Sequence, residues 1–367
     1  MEAVATFTDT YLPTVNGVTY TITTWRDRWA DRGGRMDVVY PGAAEHAPEV
    51  GERPVASVDF PFYEGYRLAI PGVPAAVRDV DVVHAHTPFT LGLAGLRLAR
   101  TEDLPLVASY HTPTGEYADY LAPRPASTVI RGVSEYWERT FFDRADVVLA
   151  PSETTRTHVA ETVGVSTRVE VLPNGVDVDR FRPVETADFQ ARHGLDGDRP
   201  VVGYTGRHGH EKRLETVVEA AADLDVTLAL AGDGPARSAL ERLAAERAVD
   251  ARFLGFLPRE ELPAFYASLD VFVFPSPVET QGIVALEAMA CGTPVVAADA
   301  GALSETVDDG ATGVHVEPGD VEAFRAGIEA ALADRASLRS ACLERRDSMS
   351  VERAVDRLAE VYASLAD

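Results

Sequence analysis

The chain of 367 residues is too long for one ordinary hydrophobic core and suits two domains. Its hydrophobic content of 46% predicts a globular protein, and it holds no apolar run of the roughly 18 residues that a membrane span needs. Its formal net charge of -24 excludes broad nucleic-acid binding, because attraction to phosphate needs a positive surface.

Charge and cysteine content also indicate the surroundings of the protein. The acidic residues are spread along the chain, which predicts a solvated surface adapted to high salt. Cys291 and Cys342 are too few for a disulfide framework, and no Cys/His cluster indicates zinc. The first residues lack the basic stretch and apolar run of a signal peptide. We therefore expect a cytoplasmic protein.

Short apolar runs alternate with amphipathic stretches, which is typical of βα units with parallel sheets. The predicted strands are residues 3–8, 36–40, 80–84, 106–110, 147–150 and 169–171 in the first half, and 201–205, 226–231, 251–253, 271–274, 294–297 and 313–316 in the second. The predicted helices are residues 19–31, 91–100, 214–224, 236–248, 260–269, 283–290 and 300–307. The pattern predicts the α/β class, with two doubly wound, Rossmann-like domains.

The turn-rich run LPNGVDVDRFRP at residues 172–183 marks the expected boundary between the domains. We expect a first domain at residues 1–172 and a second at 173–345. The C-terminal helix at 346–367 can pack on either domain, and packing back on the first is one option. The carboxyl edges of the two sheets are expected to face each other across a cleft, where open α/β sheets bind ligands.

Three polar loops follow strands of the first half. TDTYLPTVNGV leaves a strand and enters a helix, and its Asn16 and Gly17 permit close approach of the backbone. HAHTPFTLGLAG and SYHTPTGEY each follow an apolar strand, so each leaves the carboxyl edge of a sheet. For His84 a packing role is the favoured interpretation, whereas for His86 packing and function stay open.

Two cations follow the predicted strand at residues 201–205, in GYTGRHGHEKRLE. Arg207 and Lys212 can neutralise the charge that develops on a departing diphosphate, although a solvated basic loop is the alternative. Lys212 is also the one lysine of the chain, and all other residues in the Lys+Arg count are arginines. AGDGP at residues 231–235 is half of a dinucleotide fingerprint or an ordinary strand-to-helix turn.

The strongest motif is PSPVETQGIVALEAMACGTPVVA at residues 275–297, where a loop enters a helix near Gly282. The backbone amides at this helix start are expected to lack partners and to bind a diphosphate; they belong to Gly282, Ile283 and Val284. Glu279 and Glu287 would repel a diphosphate, so we expect them to accept hydrogen bonds from hydroxyls, of the transferred sugar and of the ribose respectively. An exposed acidic loop with a surface glutamate is the alternative.

ETQGIVALE at residues 279–287, continued by EAMACGTPVVA, resembles the donor-site motif of the GT-B-fold, retaining glycosyltransferases of family four, also called glycosyl transferases group 1. The resemblance covers nearly the whole chain. It implies transfer of a hexose from a UDP- or GDP-linked donor with retention, by same-face attack, without a cofactor or an essential metal. Gln281 stands where the family more often has Phe, which is similar to the branch that glycosylates lipids.

The resemblance also implies that the domain at residues 1–172 binds the acceptor and that the domain at 173–345 binds the nucleotide-sugar donor. It further implies roles for individual residues. The catalytic set would be His111, Arg207, Lys212 and Glu279. The donor-binding set would be Asn16, Gly17, Gly206, Arg207, Lys212, Gly232, Asp233, Phe256, Leu257, Glu279, Gly282, Ile283, Val284 and Glu287, with Asn16 replacing the first of two family glycines. The acceptor-binding set would be Tyr11, Thr87, Pro88, Phe89, Tyr110 and Tyr117.

The first-half loops look like those of transferases that act on diacylglycerol-type lipids, which favours a lipid or lipid-linked acceptor at the inner membrane face. Residues 128–142, with Arg131, Trp137, Phe141 and Phe142, either touch a membrane or belong to the core. A nucleotide-sugar epimerase, a phosphorylase, a transferase to a soluble acceptor and a non-catalytic sugar-binding protein remain alternatives. The Asp-x-Asp triplets at 79–81 and 177–179 arise readily by chance in so acidic a chain, and no metal site is predicted.

Overall fold

The computed structural model forms two compact units. The first comprises Met1–Gly175 together with Val351–Asp367, and the second comprises Val176–Ser350. The described residues are 1–59, 67–113 and 126–366.

The predicted α/β class with two parallel, Rossmann-like sheets is confirmed. The strands of the first unit are β1 Ala3–Phe7, β2 Arg35–Pro41, β3 Glu52–Val55, β4 Ser57–Asp59, β5 Arg67–Ala69, β6 Val82–Ala85, β7 Leu106–Ser109, β8 Val147–Ala150 and β9 Val169–Val171. Those of the second are β10 Val201–Thr205, β11 Thr227–Ala231, β12 Ala251–Gly255, β13 Val271–Phe274, β14 Val295–Ala298 and β15 Gly313–Val316.

The helices of the first unit are α1 Gly17–Asp31, α2 Thr90–Glu102, α3 Ala126–Phe142, α4 Glu153–Thr157 and the C-terminal α13 Val351–Ala366. Those of the second are α5 Ala187–His193, α6 Leu214–Ala221, α7 Arg237–Glu246, α8 Leu262–Ala267, α9 Ile283–Ala290, α10 Leu303–Thr306, α11 Val321–Ala333 and α12 Arg335–Glu344. Among the described residues, none of these helices is both long and apolar enough to cross a membrane.

Strand order places the candidate loops. The first sheet runs β3-β2-β1-β6-β7-β8-β9 and the second β12-β11-β10-β13-β14-β15, with parallel pairing throughout both. The order reverses at β1 and at β10, and ligands of open α/β sheets bind beyond the carboxyl ends of the strands at such switch points. The predicted strands lie within two residues of those observed, because their continuous apolar runs are buried on both faces.

Three short strands were not predicted. The edge strand β3 has the sequence ERPV, whose proline and lack of alternation hide it, and β4 and β5 form a separate antiparallel pair. The C-terminal α13 returns to the first unit and buries one face there. Its buried residues recur at helical spacing and include Val351, Ala354, Val355, Leu358 and Tyr362.

Candidate active site

Glycines let the loops after β10 and β11 touch. Gly206 and Gly232 have φ of 145° and 109°, in the region that favours glycine. A Cβ on Gly232 would overlap the carbonyl oxygen of Gly206, so no other residue fits there without moving backbone. The buried His208 joins the same loops, since its amide donates to Asp233 O over 2.8 Å and its carbonyl accepts from Ala236 N over 2.9 Å.

The two cations of the loop after β10 each face a carboxylate. Lys212 Nζ lies 2.6 Å from Glu279 Oε1, on the loop after β13, and the two side chains are only 15% and 14% exposed. Arg207 Nη1 lies 3.0 Å from Oε1 of the buried Glu211. The structure thus brings three of the predicted catalytic residues of this unit to one edge of its sheet, as two ion pairs. Glu211 was not predicted, although its place four residues after Arg207 is a recognisable signal.

The helix start after Glu279 is built for close packing. Gly282 precedes α9 with φ of 76°, and a Cβ there would lie 2.6 Å from Leu303 Cδ2. Within the described part of the chain no side chain caps α9, and its first backbone hydrogen bond runs from Ala285 N to Gly282 O. The amides of Ile283 and Val284 therefore keep the positive end of the helix available to an anion.

Glu287 differs from a surface glutamate. Its side chain is buried in α9, and Tyr266 Oη donates to Glu287 Oε2 over 2.7 Å. Burial raises the pKa of the Glu287 carboxyl, against the opposing effects of Arg259, Tyr266 and Arg180. Tyr266 was missed because it belongs to another helix, and no spacing links it to Glu287.

The remaining predicted donor residues of the second unit are divided between surface and core. Phe256 is 64% exposed, whereas its neighbour Leu257 is buried in the core. The Asp233 carboxylate accepts from Gly234 N over 2.7 Å and pairs with Arg237 over 3.2 Å. Phe256 therefore presents an open aromatic face, and Asp233 is held by its own loop.

In the first unit, Asn16 has a structural task. Its Oδ1 accepts from Thr19 N over 2.9 Å, which caps α1, and its Nδ2 donates to Thr10 Oγ1 over 2.8 Å. Gly17 is the first residue of α1. The Asn16 side chain is thus occupied in capping α1 and in holding the loop at Thr10.

Two predicted acceptor tyrosines point into the protein. Tyr11 is 3% exposed, and its hydroxyl donates to the buried Glu52 over 3.1 Å and accepts from Arg26 over 3.0 Å. Burial raises the pKa of Tyr11 above its ordinary value. Tyr110 is buried too and donates to Glu138 over 3.0 Å. Both hydroxyls are thus bonded to buried carboxylates.

The segment before α2 is held from outside the helix. The Asp9 carboxylate accepts from Thr87 Oγ1 over 2.6 Å and from Leu91 N over 3.0 Å, which caps α2 from the loop after β1. Pro88 O accepts from Trp137 Nε1 over 2.8 Å, and the Phe89 ring stays exposed. Among the predicted acceptor residues, Phe89 thus has a side chain that is exposed to solvent. Tyr117 lies outside the described residues.

The aromatic residues of helix α3 are partly buried in the core and partly exposed. Phe141 and Phe142 are buried in the core of the first unit, which corrects the option that they touch a membrane. Val129, Val133 and Tyr136 are exposed at intervals of four and three residues, so they share one helix face.

Three histidines form a connected group in the first unit. His84 is fully buried between Tyr362 Oη, 2.6 Å from Nδ1, and Ser109 Oγ, 2.8 Å from Nε2, which fits the packing role predicted for it. His86 stacks on His84 with ring centroids 4.1 Å apart, and its Nδ1 lies 2.8 Å from His111 Nε2. Burial lowers the pKa of His84 to about 3 and of His111 to about 4, and that of His86 falls well below its ordinary value.

Aspartates of the two Asp-x-Asp triplets accept hydrogen bonds from backbone amides. Asp81 Oδ2 accepts from Ala3 N over 2.7 Å, and Asp177 Oδ1 accepts from Asp179 N and Arg180 N. Across residues 1–59, 67–113 and 126–366, His, Cys, Asp and Glu form no group of three or more that could hold a metal ion.

Two family models match the chain, one in each half. The family model described as Glycosyltransferase Family 4 matches residues 15–180, and that described as Glycosyl transferases group 1 matches residues 185–349. A GDP-mannose-dependent alpha-mannosyltransferase of Mycolicibacterium smegmatis is 33% identical over 341 residues, covering 90% of this chain and 87% of that protein.

Two further proteins are similar over much of the chain. The GDP-mannose-dependent alpha-(1-6)-phosphatidylinositol monomannoside mannosyltransferase of Mycolicibacterium smegmatis is 37% identical over 273 residues, 70% of this chain and 68% of that protein. The structure of sucrose-phosphate synthase from Thermosynechococcus elongatus matches with a TM-score of 0.83 and 24% identity, over 100% of this chain and 99% of the other.

The two parallel-sheet units and the relatives together define a glycosyltransferase of the GT-B fold. Within that class, the chain belongs to the family 4 (group 1) glycosyltransferases.

Proposed function

We propose that the enzyme moves a hexose from a UDP- or GDP-linked donor to a hydroxyl of a lipid, lipid-linked or glycan acceptor, with retention at the anomeric carbon. The observation that carries the proposal is the grouping of Lys212, Arg207 and Glu279 at the carboxyl ends of β10 and β13. Two cations near an uncapped helix start suit a ligand with two adjacent phosphates.

The cations would work on the leaving group. As the bond between the anomeric carbon and the phosphate oxygen breaks, negative charge builds on the diphosphate, and Lys212 and Arg207 would neutralise it. Both now face carboxylates, so a diphosphate has to compete with Glu279 and Glu211 for them. Glu279, released by Lys212, would then accept from a hydroxyl of the transferred sugar.

The transfer balances without a further reactant. The acceptor oxygen bonds to the anomeric carbon on the face that the phosphate leaves, and the leaving phosphate takes the acceptor's proton. The products are the glycoside and the nucleoside diphosphate. The step needs no metal ion of its own, because the charge on the leaving group is met by side chains and by the start of α9.

A lipid acceptor is supported by the exposed apolar face of α3. Val129, Val133 and Tyr136 lie on it, and exposed apolar patches of this kind mark sites of contact with other molecules or membranes. The relative from Mycolicibacterium smegmatis named for phosphatidylinositol monomannoside carries a lipid in its name. We therefore propose peripheral contact with a membrane on its cytoplasmic side.

A donor panel tests the proposal. Each UDP- and GDP-hexose is added to the full chain in a thermal-shift assay, and a true donor is expected to raise the melting temperature because it binds the native state. The same donors are then incubated with lipid extracts, and the anomeric configuration of the product is read by NMR. Without any shift and any transfer the proposal fails, and conversion of free nucleotide-sugar without an acceptor would replace it with an epimerase.

A further inference from the structure

The side chain of His208 joins the ends of two strands in the second unit. Its ring is fully buried, and its Nε2 lies 3.3 Å from Ala231 O, at the end of β11. A carbonyl oxygen can only accept a hydrogen bond, so the ring nitrogen is the donor. This contact therefore determines the tautomer, with the proton of the neutral imidazole on Nε2. Ala231 O also accepts from Gly206 N over 3.2 Å, so two donors from the loop after β10 meet at this oxygen.

The other ring nitrogen agrees with this tautomer. Within the part of the chain that the structure describes, His208 Nδ1 is buried and has no hydrogen-bond partner. A proton placed there would create a buried N–H without an acceptor, which is a rarer arrangement in proteins than an unused lone pair. Burial also lowers the pKa of His208, which favours the neutral ring.

The loop that carries Arg207 depends on such a contact for its order. Arg207 and His208 stand between Gly206 and Gly209, and glycines let a loop backbone adopt many conformations. Two main-chain hydrogen bonds and the side-chain hydrogen bond tie His208 to residues 231–236. The residue directly after Arg207 is thus the point at which this loop is fixed to its neighbour.

We propose that His208 is a positioning residue, which donates from Nε2 to Ala231 O and so holds the loop after β10 in the conformation that presents Arg207 to the phosphates of the donor. Without this hydrogen bond the loop loosens while the core stays packed, because Ala231 O keeps Gly206 N as a donor. The inference rests on the proposed function for its effect on transfer, whereas the tautomer and the order of the loop can be measured without a donor.

The first test determines the tautomer. Long-range proton–nitrogen NMR of the full chain with ¹⁵N-labelled histidine shows which ring nitrogens carry a proton, and the signals that are lost in His208→Gln belong to His208. We expect a protonated Nε2 and an unprotonated Nδ1 near neutral pH. An unprotonated Nε2 in the wild-type protein overturns the proposal, and this outcome says nothing against glycosyl transfer.

The second test separates the hydrogen bond from the burial of the side chain. His208→Gln retains an N–H close to the position of Nε2, whereas His208→Leu fills the space without a donor. Exchange of the Gly206 amide proton, followed by NMR in the ligand-free chain, should be about tenfold faster in His208→Leu and near wild type in His208→Gln. His208→Leu should melt near the wild-type temperature, and wild-type exchange in this variant overturns the proposal. His210→Leu changes an exposed histidine of the same loop and should leave the exchange unchanged.

The third test connects the loop with transfer. The UDP- and GDP-hexoses of the donor panel are incubated with lipid extract, and kcat and KM are measured for each donor that is turned over. His208→Leu should lower kcat about tenfold with a smaller change in KM, and His208→Gln should restore kcat to within a few-fold of wild type. Wild-type kcat in His208→Leu overturns the proposal. If the wild-type chain turns over no donor, the proposed function fails, whereas the tautomer and the Gly206 exchange still decide whether His208 holds the loop.

Discussion

Lys212 Nζ and Glu279 Oε1 lie 2.6 Å apart, which ties the loop after β10 to the loop after β13 across 67 residues of sequence. Both side chains are largely buried, so water screens the pair weakly. The carboxylate holds the ammonium near the start of α9 before any diphosphate arrives. An exposed cation would have to be ordered by the ligand, whereas this one is ordered in advance.

Replacing Lys212 should therefore affect the chemical step more than binding. Lys212→Ala is expected to lower kcat about 10² to 10³-fold while the dissociation constant of the nucleoside diphosphate changes far less, because the cation matters most when charge develops. Lys212→Arg should restore little, since a planar guanidinium does not replace a compact ammonium beside Glu279. Steady-state kinetics and calorimetric titration measure the two effects. Arg242→Ala, on the exposed face of α7, is the matched control, and normal turnover in Lys212→Ala would remove the phosphate role.

Glu287 is expected to lower stability near neutral pH. Its folded-state pKa is raised above the unfolded value near 4.5, so the native state holds a proton that the unfolded state releases as the pH rises. Stability linked to this group is complete below about pH 4.5 and is lost as the pH rises through the folded pKa. Glu287→Gln retains an acceptor for Tyr266 without the charge.

Hydrogen exchange of α9 and β13 measures the effect of that variant. Glu287→Gln should protect these elements better than wild type near pH 7, and the advantage should shrink near pH 4. Affinity for the nucleotide should fall if the carboxylate binds the ribose. If wild type and Glu287→Gln were equally protected at both pH values, burial of the Glu287 carboxyl would not lower the stability of the native state. Glu241→Gln, on the surface of α7, serves as the control.

The buried histidines should make the first unit sensitive to acid. The unfolded chain binds protons at histidines near pH 6.5, whereas folded His84 stays neutral down to about pH 3 and His111 down to about pH 4. Across that window the unfolded state binds more protons, so stability is complete above about pH 6.5 and falls as the pH drops.

Tryptophan fluorescence reports this effect selectively, because Trp25, Trp29 and Trp137 all belong to the first unit. Urea unfolding followed in this way should show a free energy of unfolding that decreases from about pH 7 to about pH 4.5. His84→Gln should lower the value near pH 7 but flatten its pH dependence. His210→Gln, in the second unit, should leave both unchanged. If the free energy of unfolding of His84→Gln depended on pH as strongly as that of the wild type, the burial argument would be contradicted.

The acidic surface should make stability depend on salt. With a net charge of -24, repulsion among carboxylates opposes the compact state, and screening removes much of it beyond a few Å at about 1 M salt. The melting temperature is expected to rise from about 0.1 M to about 2 M KCl. Sucrose at matched viscosity is the control for general exclusion effects, and a melting temperature that does not respond to KCl would remove the high-salt interpretation.

The apolar face of α3 should bind lipid. Val133→Ser combined with Tyr136→Ser removes two exposed apolar side chains and should weaken binding to phosphatidylcholine vesicles containing diacylglycerol about tenfold, measured by co-sedimentation in high salt. Val50→Ser changes an even more exposed apolar residue outside α3 and should bind as wild type does. Equal binding of all three proteins would leave the face without a role at membranes.

Local rules in the sequence were enough for the class of protein and for most of the fold. Buried strands can be recognised in a sequence as short apolar runs. A motif such as ETQGIVALE can be recognised because its residues are close together in the chain. The positive φ values of Gly206, Gly232 and Gly282 are local turn requirements, whereas the lack of space at Gly232 and Gly282 comes from Gly206 and Leu303 on other segments. The edge strand β3 was not predicted, because its proline and its place at the sheet edge remove the apolar run by which a strand is recognised.

Tertiary structure alone decided which side chains meet. Lys212 pairs with Glu279, Glu287 accepts from Tyr266, and the His86 ring meets the His111 ring across distances in sequence that no spacing predicts. The same packing turned Tyr11 and Tyr110 inward, since each hydroxyl found a buried carboxylate there. Sequence determines where a loop leaves a sheet because backbone geometry is local, whereas the partner of a polar side chain depends on whichever distant segment packs against it.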